Sequence, residues 1–398
     1  MKYIDEVSKW SANNYNPLPV VLSWGKGVWV KDVDGKKYLD CLSSYSALNQ
    51  GHRHPKIIAA LKKQADRLTL SSRAFHNDRM GAFLKKLCQV CAMEMALPMN
   101  TGSEAVETAI KIVRRWGYDV KGVPADQAEI IACHNNFHGR TTTIVGFSTD
   151  EQYRRGFGPF TPGFRMIPYG DARALRDAIT PNTVGFLVEP IQGEGGVIIP
   201  PLGYLAEAQR ICRERNVLLM ADEIQTGLGR TGRLFCYEHE EGVKPDVLIL
   251  GKALGGGVYP VSAVVSSKTV LGLLKPGDHG STFGGNPLGS AVAIASLDVL
   301  LGEKLSRKSE MMGKYFLAKL SAIRSRHIKE VRGRGLMIAI EIHPSSGKAR
   351  SFCERLAGLG VLAKDTHDQV IRFTPPLVIS RKEIDWAVKR IRAVLGDS

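Results

Sequence analysis

Between about residues 100 and 290 the chain repeats one pattern, a short and almost wholly apolar run followed by a segment of helical period. The runs are EIIAC (129–133), VGFLVEP (184–190), VLLMADE (217–223) and DVLILGK (246–252), with helical stretches such as 203–216 between them. Runs this short and this apolar are strands buried on both faces. That requires helices on each side of the sheet, so the pattern predicts a mainly parallel sheet in an α/β domain. The flanks read differently. GVWVKDVDGKKYLDCL (27–42) alternates on both sides of Asp34-Gly35, a β-hairpin pattern. PKIIAALKKQADRL is a helix opening on proline, with Ile57, Ile58, Leu61, Ala65 and Leu68 on one face. A helix is expected from Pro287 to Leu301. Residues 303–398 then read as helix, one strand over VRGRGLMIAIEI, helix, strands and a last helix opening at the capping box Ser380 to Glu383. The expected organisation is an N-terminal segment (1–48) belonging to a small α+β domain, a large domain (49–290) and the rest of the small domain (291–398).

Functional groups in open α/β sheets collect at the carboxyl ends of the strands. Three of the runs end in charge there, at Glu189, at Asp222-Glu223 and at Gly251-Lys252. One such residue alone is an ordinary loop start. A carboxylate and a lysine that both leave buried strands are costly without a partner. Pyridoxal 5'-phosphate would suit both, since its aldehyde needs a lysine and its ring nitrogen needs a carboxylate to stay protonated. Its phosphate would need amide donors at a helix N-terminus, which Thr101-Gly102-Ser103-Glu104 supplies as the capped start of a helix with Val106, Ile110 and Val113 on its apolar face. Asn135 to Arg140 follows a strand and offers Phe137 to stack on a planar ring.

Other signals are weaker. Gly227-Leu-Gly229-Arg-Thr-Gly232 matches GxGxxG, but DEIQT separates it from its strand and no long apolar helix follows, so it does not read as a dinucleotide site. Gly251-Lys252 lacks the glycine and hydroxyl residue of a P-loop. Gly51-His52-Arg-His54 has no third ligand nearby, and no metal is expected. Cys88 and Cys91 lie one helical turn apart among Phe83, Leu84, Leu87 and Val90 and read as packed side chains; a reducing compartment suits the seven scattered cysteines. Neither an export signal nor an apolar run of about 18 residues is present, so a cytoplasmic protein away from membranes is expected. The net charge of +15 is concentrated at the C-terminus, where residues 304–398 hold 20 Lys and Arg against 9 Asp and Glu. Such charge suits nucleic acid, anionic membranes or acidic small molecules; a basic nucleic-acid-binding protein is the competing reading from another class, but no nucleic-acid motif is seen and no nucleic-acid partner is expected.

Taken together, NPLPVVLSWGKGVWVKDVDGKKYLDCLSSYSALNQGHRHP, LPMNTGSEAVETA, VEPIQGEGG, ADEIQTGLGRTG, LGKALGGGVYPVSAV, HGSTFGGNPLG and VIRFTPPLVI resemble the class III, fold-type I pyridoxal-phosphate aminotransferases. Within that class they are most similar to the ornithine aminotransferases. The resemblance implies a homodimer with its active site at the interface. It implies Lys252 as the Schiff-base lysine and proton shuttle, Asp222 against the ring nitrogen, Gln225 on the phenolic oxygen, and Phe137 and Ile224 on the two ring faces. Gly102 and Ser103 would hold the phosphate, with Thr282 from the second subunit, and Glu189 is counted with the catalytic set.

For substrate, Arg140 would bind the α-carboxylate of L-ornithine and Arg372 a carboxylate of glutamate or 2-oxoglutarate, tasks suited to bidentate arginine. Glu194 would cover Arg372 while ornithine is bound, and Tyr15 and Tyr45 would shape the pocket. The implied reaction moves the δ-amino group of ornithine to 2-oxoglutarate by a ping-pong mechanism. N-acetylornithine, 4-aminobutyrate and lysine aminotransferases are the near alternatives. One departure is visible, His138 where some ornithine aminotransferases carry tryptophan.

Overall fold

Seven strands form the central sheet of the computed structural model, which describes residues 2–397. In spatial order they are Met95–Met99, Ser262–Ser266, Val247–Leu250, Leu218–Asp222, Thr183–Val188, Glu129–Cys133 and Phe164–Ile167. The last five run parallel, as the apolar runs predict, whereas Ser262–Ser266 is antiparallel to both its neighbours. Every residue of Thr183–Val188, Leu218–Asp222 and Val247–Leu250 is buried. The cause is the pair of helical layers. Ile130 and Ala132 face one apolar layer with Val106, Ile110 and Val113 of helix Gly102–Trp116, while Ile131 and Cys133 face another with Leu205 and Ala208 of helix Tyr204–Glu214. Helix Gly102–Trp116 opens on the expected capping box, with the Thr101 hydroxyl accepting from the Glu104 amide and the Glu104 carboxylate accepting from the Thr101 amide at 2.8 Å.

Two smaller sheets lie beside the large one. Leu22–Lys26, Trp29–Asp32 and Lys37–Asp40 form an antiparallel meander that includes the expected hairpin, and Lys37–Asp40 pairs in parallel with Val361–Leu362. N-terminal and C-terminal parts of the chain thus share one sheet. The other sheet is antiparallel, in the order Ile328–Arg334, Met337–Ile342, Val370–Phe373, Lys364–Thr366. The single strand expected over 331–342 is therefore a tight hairpin. Gly335, at φ +56°, makes the turn, and a Cβ there would lie 2.3 Å from the Thr231 carbonyl carbon. The helix expected from Pro55 also differs from expectation. Pro55–Ala65 ends before Leu68, which is 44% exposed, and Gln64 is buried in place of Ala65 with its amide donating to the Leu68 carbonyl. The helices at Pro287–Gly302 and Arg381–Leu395 stand where the sequence predicts, the latter behind its Ser380/Glu383 capping box. No helix among the described residues is long and apolar enough to cross a membrane.

Candidate active site

The adjacency of three parallel strands builds the site. Thr183–Val188, Leu218–Asp222 and Val247–Leu250 are neighbours running the same way, so the residues at their carboxyl ends, Glu189, Asp222 and Lys252, meet at one edge of the sheet. With Gly102, Ser103, Phe137, His138, Ile224 and Gln225 these three line a cavity of about 190 Å³. Strand alternation separates Asp222 from its neighbour. Glu223 turns away and accepts from the Thr226 hydroxyl and the Tyr237 amide, and burial lifts its carboxyl to about 8. Lys252 sits in the left-handed region at φ +44°, an unusual conformation for a residue with a side chain and one found at functional sites.

Asp222 is 4% exposed, and its Oδ2 lies 2.6 Å from His138 Nδ1 while Oδ1 accepts from the Ile224 amide. Burial alone would depress the His138 imidazolium; the hydrogen bond and charge of Asp222, with Glu189 adding, outweigh it and raise its pKa. Burial lowers the Lys252 ammonium, opposed by Asp222, Glu194 and Glu189. Glu189 accepts the Phe137 amide on one oxygen and the Gly193 amide on the other, at 2.9 and 3.1 Å. Its carboxylate therefore ties the loop bearing Phe137 to the loop bearing Glu194.

Burial also pushes the Glu189 carboxyl up from 4.5 to about 7, with Asp222 adding and His138 and the two amides opposing. A folded-state pKa above the unfolded one contributes stability that is full below the unfolded pKa and is lost as pH rises through the folded one. Relative to Glu189→Gln, the native protein should therefore lose about 3 kcal/mol between pH 4.5 and about 7. Denaturant unfolding of both proteins on either side of that window checks this, and parallel pH profiles would count against it.

A larger cavity of about 1020 Å³ includes Arg140, next in sequence to Gly139 of the small one, and is lined by Tyr15, Tyr45, Tyr153, Glu194 and Arg372 among others. Arg372 is 2% exposed and makes a two-pronged pair with Glu194, Nη1 to Oε1 at 2.8 Å and Nη2 to Oε2 at 3.2 Å. Nη1 also donates to the Gly193 carbonyl, and the guanidinium lies 5.4 Å from the Tyr45 ring centre. Burial would raise the Glu194 carboxyl, but Arg372 outweighs it and holds it below the usual range. Arg140 is exposed and rests over the rings of Tyr153 and Phe137, at 4.3 and 5.8 Å from their centres. Tyr15 is 70% exposed at the mouth. Thr282 is exposed and lines neither cavity, its expected place being the site of a second copy.

The residues fit a planar, phosphorylated pyridine. Helix geometry leaves the Gly102 and Ser103 amides without acceptors of their own, facing the cavity. A Cβ at Gly139 (φ +132°) would lie 2.3 Å from Ser103 Oγ, so glycine keeps that hydroxyl clear. One carboxylate, one lysine and one phosphate cradle converge.

The rejected motifs have other occupations. In the GxGxxG-like loop Arg230 is fully buried and donates to the Leu336 and Pro375 carbonyls, Ser43 Oγ and Asn49 Oδ1, so protein fills the loop. His52 pairs with Asp40 and His54 with Glu303, and no metal-binding cluster occurs among the described residues. All seven cysteines are free, and Cys91 is packed in the core. Two functional-site contacts escaped the sequence reading, the His138–Asp222 pair and the Tyr153 platform under Arg140, and so did one structural one, the buried Arg230. Only the last had a local signal, an arginine inside a glycine-rich loop.

The sequence pattern of the family Aminotransferase class-III matches residues 10–395. An ornithine aminotransferase of Brevibacillus brevis is 60% identical over 98% of this chain and 97% of its own length. The crystal structure of the ornithine aminotransferase from Toxoplasma gondii superposes with a TM-score of 0.96 at 47% identity, covering 98% of this chain and 94% of that one. An acetylornithine aminotransferase from Elizabethkingia anophelis superposes at 0.90 with 46% identity, covering 99% and 98%. A family match across nearly the whole chain, over a site with the lysine, carboxylate and phosphate cradle such chemistry requires, places this chain among the class III aminotransferases, the pyridoxal-phosphate-dependent transaminases.

Proposed function

We propose that the enzyme is an ornithine δ-aminotransferase, converting L-ornithine and 2-oxoglutarate to glutamate 5-semialdehyde and glutamate, with donor and acceptor taking turns in one site. The observation that carries this reading is the buried Arg372 capped by Glu194 beside Tyr45, with an exposed Arg140 in the lining of the same cavity. A donor that reacts through its terminal amine must keep its α-carboxylate away from the reacting carbon; a dicarboxylate must bring one carboxylate close. Two arginines, one open and one coverable, meet both needs.

Bound pyridoxal 5'-phosphate supplies an aldehyde that takes up the amino group and a protonated ring that draws electrons from the carbon losing its proton. Around it the chain's own residues divide the work. Gly102 and Ser103 would hold the phosphate through amides and hydroxyl. Asp222, oriented by His138, would keep the proton on the ring nitrogen, and Gln225 would meet the phenolic oxygen. Phe137 and Ile224 would flank the ring. Lys252 Nζ, made easier to deprotonate by burial, is the amine that would hold the aldehyde and the group that would carry the proton. Glu189 acts on the ring stack and on the Glu194 loop through the two amides it binds. Tyr15 and Tyr45 line the path of the ornithine chain.

The reading includes a cytoplasmic homodimer whose second copy brings Thr282 to the phosphate. Free cysteines and exposed Trp10, Tyr15 and Phe283 support it. Stopped-flow half-reactions with ornithine, N-acetylornithine, 4-aminobutyrate and lysine test the substrate. Ornithine should convert the cofactor fastest, by about tenfold or more, as expected when a buried polar site loses a matched partner. A faster reaction with any of the other three assigns the enzyme to that amine.

A further inference from the structure

Glu194 can act as a removable cover only if the loop that carries it stays in place when its side chain leaves. That loop, 192–198, is closed at its base by Gln192 and Ile198, each amide donating to the other's carbonyl, but its tip carries a strained backbone. Gly196 is at φ +110° and Val197 at φ +57°, the latter a left-handed conformation that costs a β-branched residue dearly and persists only where the surroundings enforce it.

The Gly196 and Val197 amides donate to the Gly193 carbonyl within the loop, and the side chain that holds the Gly196 and Val197 carbonyls is Arg332. Its Nη2 and Nε donate to the Gly196 carbonyl at 2.8 and 3.2 Å, and Nε also donates to the Val197 carbonyl at 3.2 Å. Its Nη1 is taken by Glu330 and Glu341, at 2.6 and 2.5 Å, which fixes the plane of the guanidinium. Sheet register explains why it reaches. Arg332 stands opposite Ala339, and Ala339 stands opposite Arg372. Residues opposite one another share a face, so the two arginines project side by side with only a methyl between them. Arg372 grips the Gly193 and Glu194 end of the loop while Arg332 grips the Gly196 and Val197 end. Glu189 holds the Gly193 amide, and the Thr366 hydroxyl holds the Glu194 carbonyl at 2.8 Å.

We infer that Arg332 is a positioning residue for substrate choice: it clamps the 192–198 loop so that Glu194 uncovers Arg372 by turning its side chain while its backbone stays fixed. The inference rests on the proposed Glu194–Arg372 switch. Losing the charged donors to the Gly196 and Val197 carbonyls lets the loop relax and misplaces the Glu194 carboxylate, although Arg332 lines neither cavity.

The experiment measures kcat/KM for ornithine and for glutamate in the first half-reaction of the holoenzyme, in Arg332→Met, Arg332→Lys, Glu194→Ala and the double variant Arg332→Met/Glu194→Ala. Arg332→Met should lower the ornithine-to-glutamate ratio about tenfold, the worth of a lost charge-assisted contact. Arg332→Lys, with one donor direction left for the carbonyls, should fall between it and the native enzyme. The double variant should match Glu194→Ala in this ratio, because a loop without Glu194 has nothing left to misplace. A purely structural role would lower both activities together and add to the Glu194 effect. An unchanged ratio in Glu194→Ala overturns the switch and this inference with it. A shifted ratio there, with an unchanged ratio in both Arg332 variants or an additive double variant, overturns only the role of Arg332.

Discussion

Lys252→Ala should fold, still hold pyridoxal phosphate, and turn over at least about 10⁴-fold more slowly than the native enzyme, the upper range of what one positioned proton-transfer group supplies. The argument begins with position. Among the described residues Lys252 is the only lysine lining the small cavity, and burial shifts its ammonium toward the free amine, the form that can bond a carbonyl carbon and accept a proton. Lys252→Arg should do no better, since a guanidinium stays protonated and cannot perform either task. The fold should survive because the apolar neighbours Ala253 and Leu254, both buried, anchor the segment. Cofactor should remain because the Gly102 and Ser103 amides and the Asp222 carboxylate do not depend on the lysine. Three readouts separate chemistry from binding. The visible absorbance that reflects the Lys252–cofactor linkage should disappear while the stoichiometry of bound cofactor stays near one per chain, and single-turnover conversion of ornithine should collapse. Retained turnover would remove Lys252 from the mechanism.

The same sheet explains how much of this site was legible beforehand. A strand buried on both faces has to be an apolar run, and the first charged residue after it marks the edge where the sheet opens to solvent; Glu189, Asp222 and Lys252 could be picked out on that ground alone. Ser103 and Glu104 were legible because capping is local, four residues writing one hydrogen-bond pattern. What local patterns cannot carry is pairing between distant elements. His138 and Asp222 are 84 positions apart, and Arg332 meets the Gly196 carbonyl across 136, so neither contact leaves a trace in either segment. The hairpin within 328–342 was misread for a related reason. Its turn residue, Gly335, needs a positive φ and close contact with Thr231, but Arg334-Gly335-Leu336 carries no Asn-Gly or Asp-Gly signal to mark the reversal. Arg230 was dismissed with its loop, and its buried bonds to Ser43, Asn49, Leu336 and Pro375 join segments from three regions of the sequence.

Glu194→Ala should change what the enzyme prefers more than how well it works. Removing the carboxylate leaves Arg372 buried, holding only the Gly193 carbonyl at 3.3 Å, with its Nε already lacking a partner. Breaking a buried pair from one side typically costs about 3 kcal/mol or more, so the variant should be less stable in the absence of substrate. A dicarboxylate offers what was lost. In the native enzyme glutamate or 2-oxoglutarate must displace Glu194 before reaching Arg372, whereas in the variant it meets an open guanidinium. Glutarate should therefore raise the melting temperature of Glu194→Ala by more than it raises that of the native protein. Ornithine suffers the opposite fate, because an uncovered Arg372 draws its α-carboxylate inward and presents the α-amine to the cofactor. The ornithine-to-glutamate ratio of kcat/KM should drop by about 100-fold, the equivalent of one charged, desolvated pair exchanged between competing ligands. Glu194→Gln, which keeps one acceptor oxygen and the shape of the side chain, should fall between. Arg372 holds the Glu194 carboxyl below the usual range, so its charge is present at neutral pH and is lost only as pH falls below the ordinary carboxylate value of 4.5. The native ratio should accordingly be flat across neutral pH and fall in acid, while in Glu194→Ala that acid limb should be missing. A variant with an unchanged ratio and an unchanged acid limb would show that something other than Glu194 decides which amine reacts.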